Sequence, residues 1–75
     1  MTEQISKLDV NTLEYVLKFV KNERDISKSF AHNARENNDR EDEIYWKANS
    51  GALNMTINFI NETIRDLTRK QQEVA

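Results

Sequence analysis

The residues best suited to chemistry sit in one short acidic run, Asp39, Glu41, Asp42 and Glu43. Four carboxylates so close together could hold a divalent cation or act as acids in a helical phosphohydrolase. A calcium loop needs oxygens at fixed intervals and a glycine at its sharp turn, and neither is present. A phosphohydrolase of helical build needs carboxylates from several helices converging on one metal, and the apolar face that follows this run offers none. The run fits the start of a helix better, where negative charge meets the positive end of the dipole. His32 and Glu36 lie four residues apart and could share one metal from one helical turn, but two ligands do not complete a site. The chain has no cysteine, no second histidine and only one glycine, so thiolate sites, phosphate-cradling loops and nucleophile elbows are excluded. No catalytic, metal or cofactor site is expected, and the chain reads as a non-enzyme.

Residues suited to binding are more numerous. Tyr45-Trp46-Lys47 is the most conspicuous aromatic cluster, of the kind that dominates interface energetics. Glu23 falls near the middle of an apolar arc, either facing a partner or lying with its stem on apolar surface and its head in water. Lys18, Lys21, Arg24 and Lys28 form a basic strip that could touch phosphate. Glu14, Asp25 and Glu36 interrupt it, the net charge is −2, and no helix-turn-helix pattern follows. Nucleic-acid binding is therefore the alternative reading and protein binding the main one.

Helices must position these residues. From Ile44 to Val74 apolar residues recur every seven positions, at Trp46, Leu53, Ile60, Leu67 and Val74, with Ile57 and Ile64 four beyond two of them. Tyr45, Ala48, Ala52, Met55 and Phe59 form a second ridge. Both patterns belong to an α-helix, expected over about residues 41–71 and closed by Arg65, Arg69 and Lys70 against the C-terminal dipole. An earlier helix is expected over about 11–36. Asn11 would be its N-cap, Glu14 would complete a capping box, and Val10 with Tyr15 would form a hydrophobic staple. Leu13, Val16, Leu17, Phe19, Val20, Ile26, Phe30, Ala31 and Ala34 share its apolar face. Asn37-Asn38-Asp39-Arg40 reads as the turn, with Asn38 and Glu41 as a second capping box. So short a connection makes the helices antiparallel neighbours.

The fold class is thus all-α: one domain over residues 1–75, an antiparallel hairpin with a frayed leader (1–10) and tail (72–75). Gly51 leaves open a break and a three-helix bundle, because glycine costs about 1 kcal/mol against alanine inside a helix. Each apolar arc is about half a helix wide, more than one neighbour covers. The surplus points to a homodimeric four-helix bundle, or to a foreign protein partner. Candidate contact residues are Phe19, Glu23, Phe30, Tyr45, Trp46, Leu53, Met55, Phe59, Ile60 and Leu67. No apolar run approaches the roughly 20 residues of a membrane span. The opening MTEQISKLDV lacks the apolar core of a signal peptide, so a cytoplasmic chain is expected.

The stretch EIYWKANSGALNMTINFINETI, the nine asparagines and the proline-free, cysteine-free frame give the chain a recognisable style. In these features it resembles small accessory proteins encoded by bacteriophages and mobile elements of low-GC bacteria. The resemblance implies a helical hairpin that binds and inhibits, or redirects, a host or regulatory protein. It assigns no residue a role.

Overall fold

The computed structural model describes the backbone of residues 2–74 and the side chains of residues 9–70 and 72. Two helices of 35 residues each, α1 (Thr2–Glu36) and α2 (Arg40–Val74), pack along one another. Cross-helix pairs Arg24–Asn54, Ser27–Asn49 and Phe30–Trp46 run in opposite directions along the two elements, which makes the hairpin antiparallel. At about 1.5 Å of rise per residue, a helix of this length spans about 52 Å. The molecule measures 55 × 15 × 12 Å, so it is a rod one helix long and two helices wide. Its radius of gyration is 16.8 Å, against about 11 Å for a compact chain of this size.

The helices are longer than their local signals suggest. α1 starts at Thr2 rather than Asn11, so Asn11 and Glu14 lie inside it and no capping box starts there. Tyr15 is 77% exposed, and the staple with Val10 does not close. A capping residue is worth about 1 kcal/mol, and nothing in residues 2–10 breaks a helix. The full length of α2 lies ready as a neighbour for an extended α1, and continuation wins. Ile5 and Leu8 lie outside the described side chains. α2 in turn runs past Arg65, Arg69 and Lys70 to Val74, which leaves no basic residue in its last turn. It also runs through Gly51 without a break.

The turn is tighter than expected. α1 ends in a Schellman motif: the Asp39 amide donates to the Ala34 carbonyl at 2.8 Å and the Asn38 amide to the Arg35 carbonyl at 3.1 Å. Asn38 occupies the left-handed position with φ 58°, a place asparagine tolerates better than other residues with a Cβ. It therefore closes α1 and does not cap α2. The cap is Asp39, whose Oδ1 accepts from the Asp42 amide at 3.2 Å. Glu41, Asp42 and Glu43 follow in the first turn, against the helix dipole. Asp39→Ala is expected to lower stability by about 1 kcal/mol, read as a drop in thermal midpoint of about 4–8 °C.

The seam between the helices follows a 3–4 alternation, which keeps it facing the partner along the rod. On α1 it comprises Leu13, Leu17, Val20, Arg24, Ser27, Ala31 and Ala34; on α2, Trp46, Ser50, Leu53, Ile57, Ile60 and Ile64. Val20, Ile57 and Ile60 form the buried core, with Leu13, Leu17, Leu53 and Ile64 packed against it. Nearer the turn the buried residues are small: Ala31, Ala34, Ser27 and Ser50. Polar contacts interrupt the middle of the seam. Asn49 Nδ2 donates to Ser27 Oγ at 2.7 Å, and Arg24 Nη1 donates to Asn54 Oδ1 at 3.2 Å. An apolar seam tolerates sliding, whereas a buried hydroxyl must find its partner. These pairs fix which residues of α1 face which of α2.

Gly51 is exposed, and a Cβ added there meets nothing within 4 Å. Gly51→Ala is therefore expected to stabilise the chain by about 1 kcal/mol through helix propensity alone. A thermal melt that shows a loss instead would mean that something packs on this spot in solution.

Candidate interaction surface

The seam uses only part of each apolar arc. On α1, Phe19, Ile26 and Phe30 recur at steps of seven and four, outside the seam and on one side of it, while Tyr15, midway between the seam residues Leu13 and Leu17, lies behind α1. On α2, Tyr45, Ala52 and Phe59 recur every seven residues. Because the helices run in opposite directions, equal offsets from the seam fall on the same flank of the hairpin. Aromatic contacts bear this out near the turn. Trp46 stacks on Phe30 with ring centroids 4.8 Å apart, and Tyr45 meets the edge of Trp46 at 4.9 Å. The Ser27–Asn49 bond lies on this flank as well.

The aromatic rings remain largely in water. Exposure is 62% for Phe19, 46% for Phe30, 61% for Tyr45 and 70% for Phe59. With about 200 Å² per aromatic side chain, these four leave roughly 500 Å² of aromatic surface uncovered. That matches the largest apolar patches found on ordinary monomers, about 300–600 Å², before Val16 and Ile26 are added.

The opposite flank is polar. Arg24 reaches Asn54 there, and its guanidinium also bonds the Asp25 carboxylate at 3.2 Å. An open groove toward the turn is lined by Lys28, His32, Arg35, Glu43 and Lys47, together with Ala31 and Ser50. Lys47 pairs with Glu43 at 3.0 Å, and His32 lies 3.8 Å from Glu36. Lys18, Lys21 and Lys28 make no ion pair among the described residues. Among the described residues there is no group of three or more acids and histidines placed to share a metal ion, and no helix long and apolar enough to cross a membrane.

The structure thus divides the candidate contact residues. Phe19, Phe30, Tyr45 and Phe59 lie exposed on the aromatic flank, with Glu23 half-buried among them. Trp46 bridges flank and seam. Met55 is 74% exposed and lies behind α2, away from α1. Leu53 and Ile60 turn inward to the hairpin's own core, and Leu67 is half-buried on that same side of α2. Of the basic strip, Arg24 turns toward the seam while the three lysines point outward. Ile26 belongs to the flank although it is not among the candidate contact residues. Its steps of seven from Phe19 and four from Phe30 were the available signal. No protein-family model matches the chain, and no curated protein or solved structure does so either.

Proposed function

We propose that this chain is a non-enzymatic protein–protein interaction module that acts by stoichiometric binding. Its aromatic flank docks against an apolar surface of the partner. The observation that supports this is the alignment of four solvent-exposed aromatic rings, Phe19, Phe30, Tyr45 and Phe59, on one flank of a two-helix rod. Side chains of that size are costly to leave in water, about 1.5–3 kcal/mol each relative to burial, and a partner surface recovers that free energy. The nucleic-acid alternative rests on the outward lysines of the polar flank. It is the weaker reading, because Arg24 is already engaged by Asn54 and Asp25. Retention on DNA or RNA that is unchanged between low and high salt would dispose of it.

The main reading is tested by sedimentation and dye binding of the wild type beside Phe19→Ser/Phe59→Ser. If a partner covers the flank, the two substitutions strip that partner away. If the flank is open, the wild type binds anilinonaphthalene sulfonate and the variant does not. A wild type that is monomeric, binds no dye and is indifferent to both substitutions would overturn the proposal.

A further inference from the structure

We infer that the aromatic flank is covered by a second copy of this chain, so that two hairpins close into a two-fold, four-helix bundle. The inference rests on the proposed interaction role and names its partner.

Surface area is the first support. The hairpin exposes 6065 Å². Scaling of accessible surface with mass gives about 4,800 Å² for a compact monomer of its size and about 7,900 Å² for a compact dimer. Two separate hairpins would have to bury about 4,000 Å² in total to reach the dimer figure. That lies within the 2,000–5,000 Å² typical of obligate homodimers, and these interfaces resemble a domain core cut in half. The hairpin is built like such a half. None of its described side chains is fully buried, and its core amounts to Val20, Ile57 and Ile60 with partly buried neighbours.

Charge is the second support. Between the levels of Phe19 and Phe30, Glu23 is the one charged residue on the aromatic flank. Two copies of that flank can meet with a single like-charge contact. The polar flank carries Lys21, Lys28, Arg35 and Lys47 beside Asp25 and Glu43, and a second copy seated there would have to take all of these charges out of water. Width is the third. A seam stripe and an adjacent outer stripe give each helix an apolar arc of about half its circumference, as a helix with two neighbours in a bundle requires.

The test is absolute mass by light scattering over a dilution series, with dye binding measured on the same samples. The expected mass is about twice 8.8 kDa, falling toward the monomer on dilution. Phe19→Ser/Phe59→Ser should shift the series to monomer, and Lys21→Ser/Lys28→Ser on the polar flank should leave it unchanged. Glu23→Leu removes the like-charge contact and adds apolar area, so it should lower the dissociation constant about tenfold. That variant keeps the proposal falsifiable if the serine pair fails to fold, which helix content by circular dichroism reports. A monomer that binds dye overturns the second copy and leaves the docking flank standing. A monomer that binds no dye overturns both. A dimer that survives the aromatic substitutions and ignores Glu23→Leu places the contact elsewhere and also overturns the inference.

Discussion

Ile57→Ala is expected to cost the hairpin about 2–4 kcal/mol, while Phe59→Ala, which removes a larger side chain, should cost the isolated hairpin less than about 0.5 kcal/mol. The two positions are neighbours on α2 and differ only in which side of the helix they face. Ile57 is 4% exposed and packs with Val20 and Ile60, whereas Phe59 is 70% exposed. Truncating Ile57 loses its transfer free energy and opens a void in a core of three buried apolar residues. At about 4–8 °C per kcal/mol for a chain of this size, the thermal midpoint should fall by at least about 10 °C. Truncating Phe59 should matter through association, so its effect should grow as the protein is concentrated and fade on dilution. Melts of both variants at two concentrations separate these contributions. If Phe59→Ala were the more damaging at the lowest concentration, the ring would belong to the monomer's core and the division into seam and flank would fail.

That division marks the limit of what the sequence made legible. The all-α hairpin followed from spacing, because apolar residues at three, four and seven leave one reading of the backbone. Trp46, Leu53 and Ile60 were correctly placed on an apolar arc. The arc alone could not say that Leu53 and Ile60 would be used internally while Tyr45 and Phe59 were left outside. That choice depends on where the second helix sits. It is fixed by pairs that are thirty and twenty-two residues apart in the chain, Arg24–Asn54 and Ser27–Asn49. Neither pair has a local signature, and a serine between Ile26 and Lys28 carries no sign of a partner twenty-two residues away. The start of α1 was misplaced for a related reason. Asn11 and Glu14 satisfy a capping pattern, yet the preference is about 1 kcal/mol and yields to a neighbouring helix that extends past it. At the turn the composition was informative but its assignment slipped by one residue. Asn38 and Asp39 both suit a helix end, and only the backbone shows that the first takes the left-handed position and the second the cap.

Asn38 gives the other large expected effect, and here the sign depends on the replacement. Asn38→Val should destabilise the hairpin by about 2 kcal/mol, since φ of 58° costs an ordinary L-residue about 1–2 kcal/mol and a β-branched one more. Asn38→Gly should be neutral or stabilising, because glycine adopts that conformation without steric cost. In a thermal melt the valine variant should fall by about 8 °C or more, with glycine at or above the wild type. The same residue guards against a different assembly. The Schellman bonds from Asp39 to Ala34 and from Asn38 to Arg35 are what stop α1 from running straight into α2. No proline or glycine stands in the way, so without the left-handed residue the two helices can fuse and exchange partners between chains. Asn38→Ala favours that fusion. It should leave helix content unchanged but lengthen the particle, which small-angle scattering would register as a rise in radius of gyration at constant mass. If Asn38→Ala and Asn38→Gly gave particles of the same length and stability, the turn would be held by the seam alone. The Ser27–Asn49 and Arg24–Asn54 pairs, and not the cap, would then set the hairpin.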